Sequence, residues 1–185
     1  WLIWQGRSSV RTSKPLLHGL RAVLNLGSMT LFFTGVTMTP LAQVAVIGFT
    51  SPLFSAFLVV LLLRERCPPR RWIVMLIGFA ATALVVRPQS VEMGAGPLFL
   101  LGAELIWGLV LVTIKLLSRT DSTLTISAYF TLFLTPLAAI PAAFVWVWPT
   151  PEQFAWLVLI AGLGTATQFL MTQSFRDADV TAVVP

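Results

Sequence analysis

Apolar residues in this chain gather into six blocks of 15 to 24 residues, about Ala22–Thr39, Leu41–Leu63, Trp72–Val86, Pro97–Ile114, Leu124–Val147 and Phe154–Thr172. A helix rising 1.5 Å per residue needs about 20 residues to cross a hydrocarbon layer about 30 Å thick. Blocks of that length, repeated along one chain, leave few folds open. Backbone polar groups must be satisfied inside each segment once lipid replaces water, and helices do this. The blocks therefore predict membrane-spanning α-helices. With 57% hydrophobic and 10% charged residues and a mean hydropathy of +0.88, the chain lacks the polar surface of a soluble domain, where about 25% of residues are charged.

Short connections make successive helices antiparallel neighbours. Pro40, Pro68, Pro69, Pro88, Pro149 and Pro151 mark those connections, where a missing N–H does no harm. Lys and Arg then set the orientation. Arg7, Arg11, Lys14 and Arg21 precede the first block; Arg64, Arg66, Arg70 and Arg71 follow the second; Lys115 and Arg119 follow the fourth; Arg176 follows the sixth. These loops share one side and hold eleven of the twelve basic residues, with Arg87 alone on the other. The positive-inside rule makes that side cytoplasmic. Trp72 at the cytoplasmic edge and Trp146, Trp148 and Trp156 at the opposite edge fit interfacial belts, whereas Trp107 falls near mid-span.

The net charge of +5 does not point to nucleic acid, because the basic residues lie in clusters between apolar blocks. One cysteine, Cys67, excludes an internal disulfide or a paired-cysteine metal site, and the lone His18 disfavours histidine-based catalysis. No metal or cofactor is expected, and no enzymatic activity. WLIWQG at one end and AVVP at the other read as parts of further helices, so the chain is expected to be a piece cut within a helix at each end.

A shift of 136 positions lays Phe33–Val46 over Phe169–Ala182. Phe33 meets Phe169, Ala42 meets Ala178 and Val44 meets Val180. Both copies show a span rich in small residues, a very short connection and A-x-V opening a new helix. The first connection is external and the second cytoplasmic, so one unit recurs in opposite orientations, the pattern of inverted-repeat transporters. Gln43 and Asp179 superpose under this shift and read as equivalent polar points of two alternating gates.

TPLAQVAVIGFTSPLFSAFLVVLLLRER followed by RRWIVMLIGFAATALVVRP resembles the first repeat of the EamA group of the drug/metabolite transporter superfamily. GAELIWGLVLVTIKLLSRTDS and MTQSFRDADVTAVVP resemble the opening of its second repeat. The specific parts are the Pro52 helix, the following Glu65 and the ADVTAVVP opening. The resemblance implies an all-α polytopic membrane protein, a helical bundle forming part of a ten-span inverted-repeat (5+5) transporter with cytoplasmic termini. On that map residues 1–88 are the remainder of the first repeat (end of span 2, spans 3–5) and residues 96–185 start the second (spans 6–8, start of span 9). It implies a secondary carrier in the inner or plasma membrane for small polar metabolites, amino-acid-like or nucleoside-like. The closing segment looks most like relatives that include S-adenosylmethionine uptake carriers. The expected partners are a small-molecule substrate and the lipid bilayer, with no nucleic acid, and a homodimer is compatible with the chain. A channel, a non-transporting assembly subunit and an integral membrane enzyme are the competing readings. The enzyme suffers from the absence of a nucleophile–base pair at depth, and no Walker A sequence is present.

Polar side chains at membrane depth are costly unless paired or facing a wet cavity, so they nominate the site. His18, Arg21, Asn25 and Ser28 share one helical face, which reads as one wall of a substrate path or as interfacial residues with Asn25 bonded to a neighbour. Gln43, Thr50, Ser51 and Ser55 surround Pro52, which cannot donate to the Gly48 carbonyl and should bend its helix. That bend reads as a gate or as a structural kink satisfied by Thr50. In the last span Thr165, Gln168 and Thr172 share a face, while Ala161, Gly162, Gly164 and Ala166 read as helix packing. Glu104 is the one carboxylate within the full spans, with Leu100, Trp107 and Leu111 on its face. It reads as the anchor of a cationic substrate, a carrier of a coupled proton, or a neutral hydrogen-bonding group; the resemblance adds nothing here, since the family usually has a small or apolar residue. The expected substrate-binding residues are Glu104, Trp107, Asn25, Gln43, Thr50 and Gln168.

Overall fold

A computed structural model describes residues 12–64, 68–86 and 94–177. The sequence readings on Glu65, Cys67, Arg87, Asp179 and the ADVTAVVP opening lie outside the described residues. Seven α-helices follow in chain order: α1 Pro15–Thr37, α2 Leu41–Gly48, α3 Ser51–Leu58, α4 Pro69–Val86, α5 Ala95–Ser118, α6 Thr123–Phe144 and α7 Pro151–Asp177. A π-helical turn, Val59–Leu63, extends α3. It ends at Arg64, whose φ of 54° is the left-handed conformation that often closes a helix. No strand occurs among the described residues.

Each helix starts where chemistry permits. Pro15, Pro69 and Pro151 each hold the first helical position, where no N–H is required. Ser122 caps α6 by accepting from the Thr125 N–H at 3.1 Å. Thr150 and Gln153 form a reciprocal capping box at α7: the Thr150 hydroxyl accepts from the Gln153 N–H at 3.3 Å, and the Gln153 side chain accepts from the Thr150 N–H at 2.9 Å.

The six apolar blocks each become helix, and five helical rods are long and apolar enough to cross a membrane: Pro15–Thr37, Leu41–Leu63, Ala95–Ser118, Thr123–Phe144 and Pro151–Phe175. The sixth block is α4, whose apolar part begins only at Trp72, after Arg70 and Arg71. α1 starts seven residues before the predicted Ala22, and α7 runs from Pro151 to Asp177 rather than from Phe154 to Thr172. Hydropathy trims polar helix ends; backbone bonding does not. The most apolar stretch of α7 has no buried residue, an arrangement that hydrocarbon tolerates and water does not.

The contacts divide the chain into two units. One contains the described residues up to Ala22 together with Ile114–Asp177; the other contains Val23–Thr113. In the first, Ile114, Leu117, Ile126 and Phe175 are fully buried, and Lys115 and Ser118 both donate to the Phe175 carbonyl, at 3.0 and 3.4 Å. In the second, Leu58, Val59, Leu100, Val110 and Leu111 form the core. Glycines let its helices approach closely. A Cβ on Gly35 would lie 2.7 Å from Leu100 Cγ, and one on Gly108 would lie 2.8 Å from Leu58 Cδ1. On α7, Gly162 and Gly164 have nothing within 4 Å of a built Cβ among the described residues.

Candidate functional site

The second unit holds a cavity of about 420 Å³. α1 contributes Ser28, Met29, Phe32 and Phe33, one face at helical spacing. Gly48 and Ser51 come from either side of the α2–α3 break, and Ala103, Glu104 and Trp107 from α5. A volume of this order suits a small metabolite.

The break follows from Pro52, which lies in the first turn of α3 and has no N–H for the Gly48 carbonyl. α2 stops at Gly48; Phe49 N–H reaches Ala45 O at 3.3 Å, and Thr50 N–H turns back to Ile47 O at 2.8 Å. The Thr50 hydroxyl donates to the same Ile47 carbonyl at 2.6 Å. Thr50 thus closes the kink. The rotation carried by the break puts Ser51, not Thr50, on the cavity, where its hydroxyl bonds the Glu104 carboxyl.

Glu104 is 9% exposed, and the cavity is where that exposure is found. Ser28 crosses to α5 and donates to the Ala103 carbonyl at 3.0 Å, which fixes α1 one residue before Glu104. Asn25, one turn earlier than Ser28, is buried but is not among the lining residues. Gln43 is buried on α2, its Nε2 without a partner, as is Thr39 Oγ1 on the preceding turn. Of the six residues expected from sequence, the structure brings Glu104 and Trp107 together at one cavity. Thr50 is engaged in the break, and Gln168 belongs to α7 in the other unit, half-buried, with Nε2 unpartnered.

Met29, Phe32 and Phe33 were missed as lining residues. The signal was present, because they continue the polar face of His18, Arg21, Asn25 and Ser28 up the same helix. A second cavity, about 510 Å³ and almost wholly apolar, lies on the α4 side of the break and shares Gly48 and Ser51 with the first.

The other unit places His18 and Arg21 differently from an interfacial position. His18 Nε2 lies 2.8 Å from Asp121 Oδ2, with Tyr129 stacked on its ring at 4.8 Å. Thr12 donates to the same carboxylate oxygen at 2.5 Å. Arg21 is fully buried, 4.4 Å over the Phe130 ring, and donates to the Ile126 carbonyl at 3.3 Å. Burial of Asp121 would raise its pKa. Hydrogen bonds from Thr12, His18 and Thr120, together with the His18 charge, outweigh that and hold the carboxyl below its ordinary value.

The EamA-like transporter family matches residues 1–87, which include the broken helix and the α1 wall of the cavity. The first 87 residues of the chain are similar to that family. The chain is similar over its whole length to an S-adenosylmethionine uptake transporter of Rickettsia bellii, at 27% identity, covering 64% of that protein. It is 31% identical to a riboflavin transporter of Vibrio cholerae over 97% of its own length and 61% of the relative's. A crystal structure at 20% identity matches 98% of this chain and 65% of its own chain with a TM-score of 0.76, which shows the fold. The chain spans less than two thirds of the length of these relatives. It is an integral multi-pass membrane protein.

Proposed function

We propose that this chain forms most of a secondary transporter that moves small polar metabolites by alternating access. The observation that carries the reading is the Glu104 cavity, a carboxylate-bearing chamber among membrane-depth helices and walled by a helix that breaks at Pro52. A broken helix beside a midplane site is the arrangement by which carriers close first one face and then the other. Relatives named for S-adenosylmethionine and riboflavin uptake support a substrate of metabolite size. On this reading residues 1–88 and 96–185 belong to two inverted five-helix repeats, and transport takes the place of catalysis.

Right-side-out vesicles bearing the full-length protein, offered radiolabelled S-adenosylmethionine or riboflavin, test the reading. Saturable uptake of either is the expected result. Ohmic conductance in a planar bilayer, or uptake no faster than in empty vesicles, would refute it.

A further inference from the structure

Three features of the Glu104 cavity restrict what it holds. The first is charge. Glu104 is the one carboxylate among the described lining residues, and none of those residues is basic. A carboxylate shielded from water calls for a positive partner, because an anion left alone there is costly. The second is the wall. Trp107, Phe32 and Phe33 supply three aromatic rings and Met29 a polarizable thioether around that single charge. Ring faces are negative and attract a desolvated cation.

The third feature is how little side-chain hydrogen bonding is left over. Ser28 is committed to the Ala103 carbonyl, and Ser51 to Glu104 itself. A primary ammonium would bring three N–H donors to one carboxylate. A sodium or potassium ion needs a close shell of oxygens, as hard cations do, and a chamber of about 420 Å³ with this lining does not supply it. An onium ion, with its charge spread over methyl or methylene groups, brings no N–H donor at its charged centre. It asks only for an anion and polarizable faces.

We infer that the Glu104 cavity recognises a small organic onium cation, a quaternary ammonium or a sulfonium, with Glu104 as counter-ion and Trp107, Phe32 and Phe33 as the cage. Ser51 is a positioning residue. By holding the carboxylate from the first turn of α3, it ties the charge to the break at Phe49–Thr50, so occupancy of the cavity and the setting of the broken helix become linked. The inference rests on the transport reading for its biological meaning, but binding tests it without transport.

The experiment measures binding to the full-length protein in lipid nanodiscs, using pairs matched in shape and differing in charge. Choline is set against 3,3-dimethylbutan-1-ol, and S-adenosylmethionine against S-adenosylhomocysteine, which lacks the sulfonium methyl. At least one onium member should bind about tenfold or more tightly than its neutral partner, a factor in the range of one desolvated cation–π and ion contact. Glu104→Gln, which keeps shape, should abolish that preference while leaving the ligand-free melting temperature unchanged. Trp107→Phe should retain the preference and Trp107→Leu should weaken it. Ser51→Ala should alter the pH at which the preference is lost, which a merely structural serine would not do. Equal affinity within both pairs, an undiminished preference in Glu104→Gln, or no binding of either onium probe would overturn the inference. Saturable riboflavin uptake in the same preparation would then leave the transport reading standing, whereas absence of both binding and uptake would bring down the two together.

Discussion

Gly35→Ala and Gly102→Ala make the same chemical change on two helices that face each other, and the structure gives them opposite signs. At Gly35 the new Cβ would sit 2.7 Å from Leu100 Cγ, 2.9 Å from its Cδ2 and 3.0 Å from the Gly96 carbonyl oxygen. Leu100 is 1% exposed, and the atom struck hardest is its branch point rather than a free end, so at least about 0.7 Å of movement is required of a side chain with nowhere to go. Overpacking of this kind costs about 1–3 kcal/mol, against about 1 kcal/mol returned by replacing a helical glycine with alanine. The net effect is a loss of up to about 2 kcal/mol. For a chain of this size that lowers the melting temperature by up to about 8 °C. At Gly102 the nearest atom, Leu31 Cδ1, stands at 3.6 Å, an ordinary contact, so only the gain remains and the melting temperature should rise by about 1–3 °C. Thermal unfolding of the purified protein in mild detergent, followed by tryptophan fluorescence, reads both. Shifts of the same sign, with Gly35→Ala more stable than the parent, would show that α1 and α5 do not approach as described.

Asp121→Asn should lower stability by about 1–3 kcal/mol at pH 7, since it removes the negative charge from the acceptor shared by His18 and Thr12. Because the folded state holds the Asp121 carboxyl below its ordinary value of 3.8, its contribution is full above that pH and drains away as pH falls through the depressed value. The melting-temperature gap between parent and variant should therefore narrow on acidification; a gap that widens would contradict the assignment. Pro52→Ala restores an N–H for the Gly48 carbonyl and should leave the melting temperature equal or higher while uptake falls about tenfold, the effect of about 1.4 kcal/mol on the gating equilibrium. Unimpaired uptake would show that the break plays no part in gating. Cys67, placed among arginines on the cytoplasmic side, should react with an impermeant thiol reagent only after the membrane is opened, and prompt labelling of intact cells would reverse the orientation.

Much of this protein is legible in its residues taken a few at a time. Block length shows the spans and Pro52 the break, because each is a local property of hydropathy or backbone chemistry. The pairing of Glu104 with Trp107 on one face follows from a separation of three residues. Which helices become neighbours is a different matter. In lipid, a face turned to hydrocarbon and a face turned to another helix are equally apolar, so hydropathy carries little signal for the choice. Steric fit between small residues such as Gly35 and a partner such as Leu100 makes it instead. That choice delivers Ser51 rather than Thr50 to Glu104, and puts Phe32 and Phe33 on the cavity that Glu104 lines. It also joins His18 to Asp121, 103 residues apart, where the sequence offers only a histidine before one helix and an aspartate in a later loop. Arg21 marks the limit most plainly. A basic residue ends an apolar block when read along the chain, yet it lies fully buried once Phe130 and the Ile126 carbonyl stand beside it.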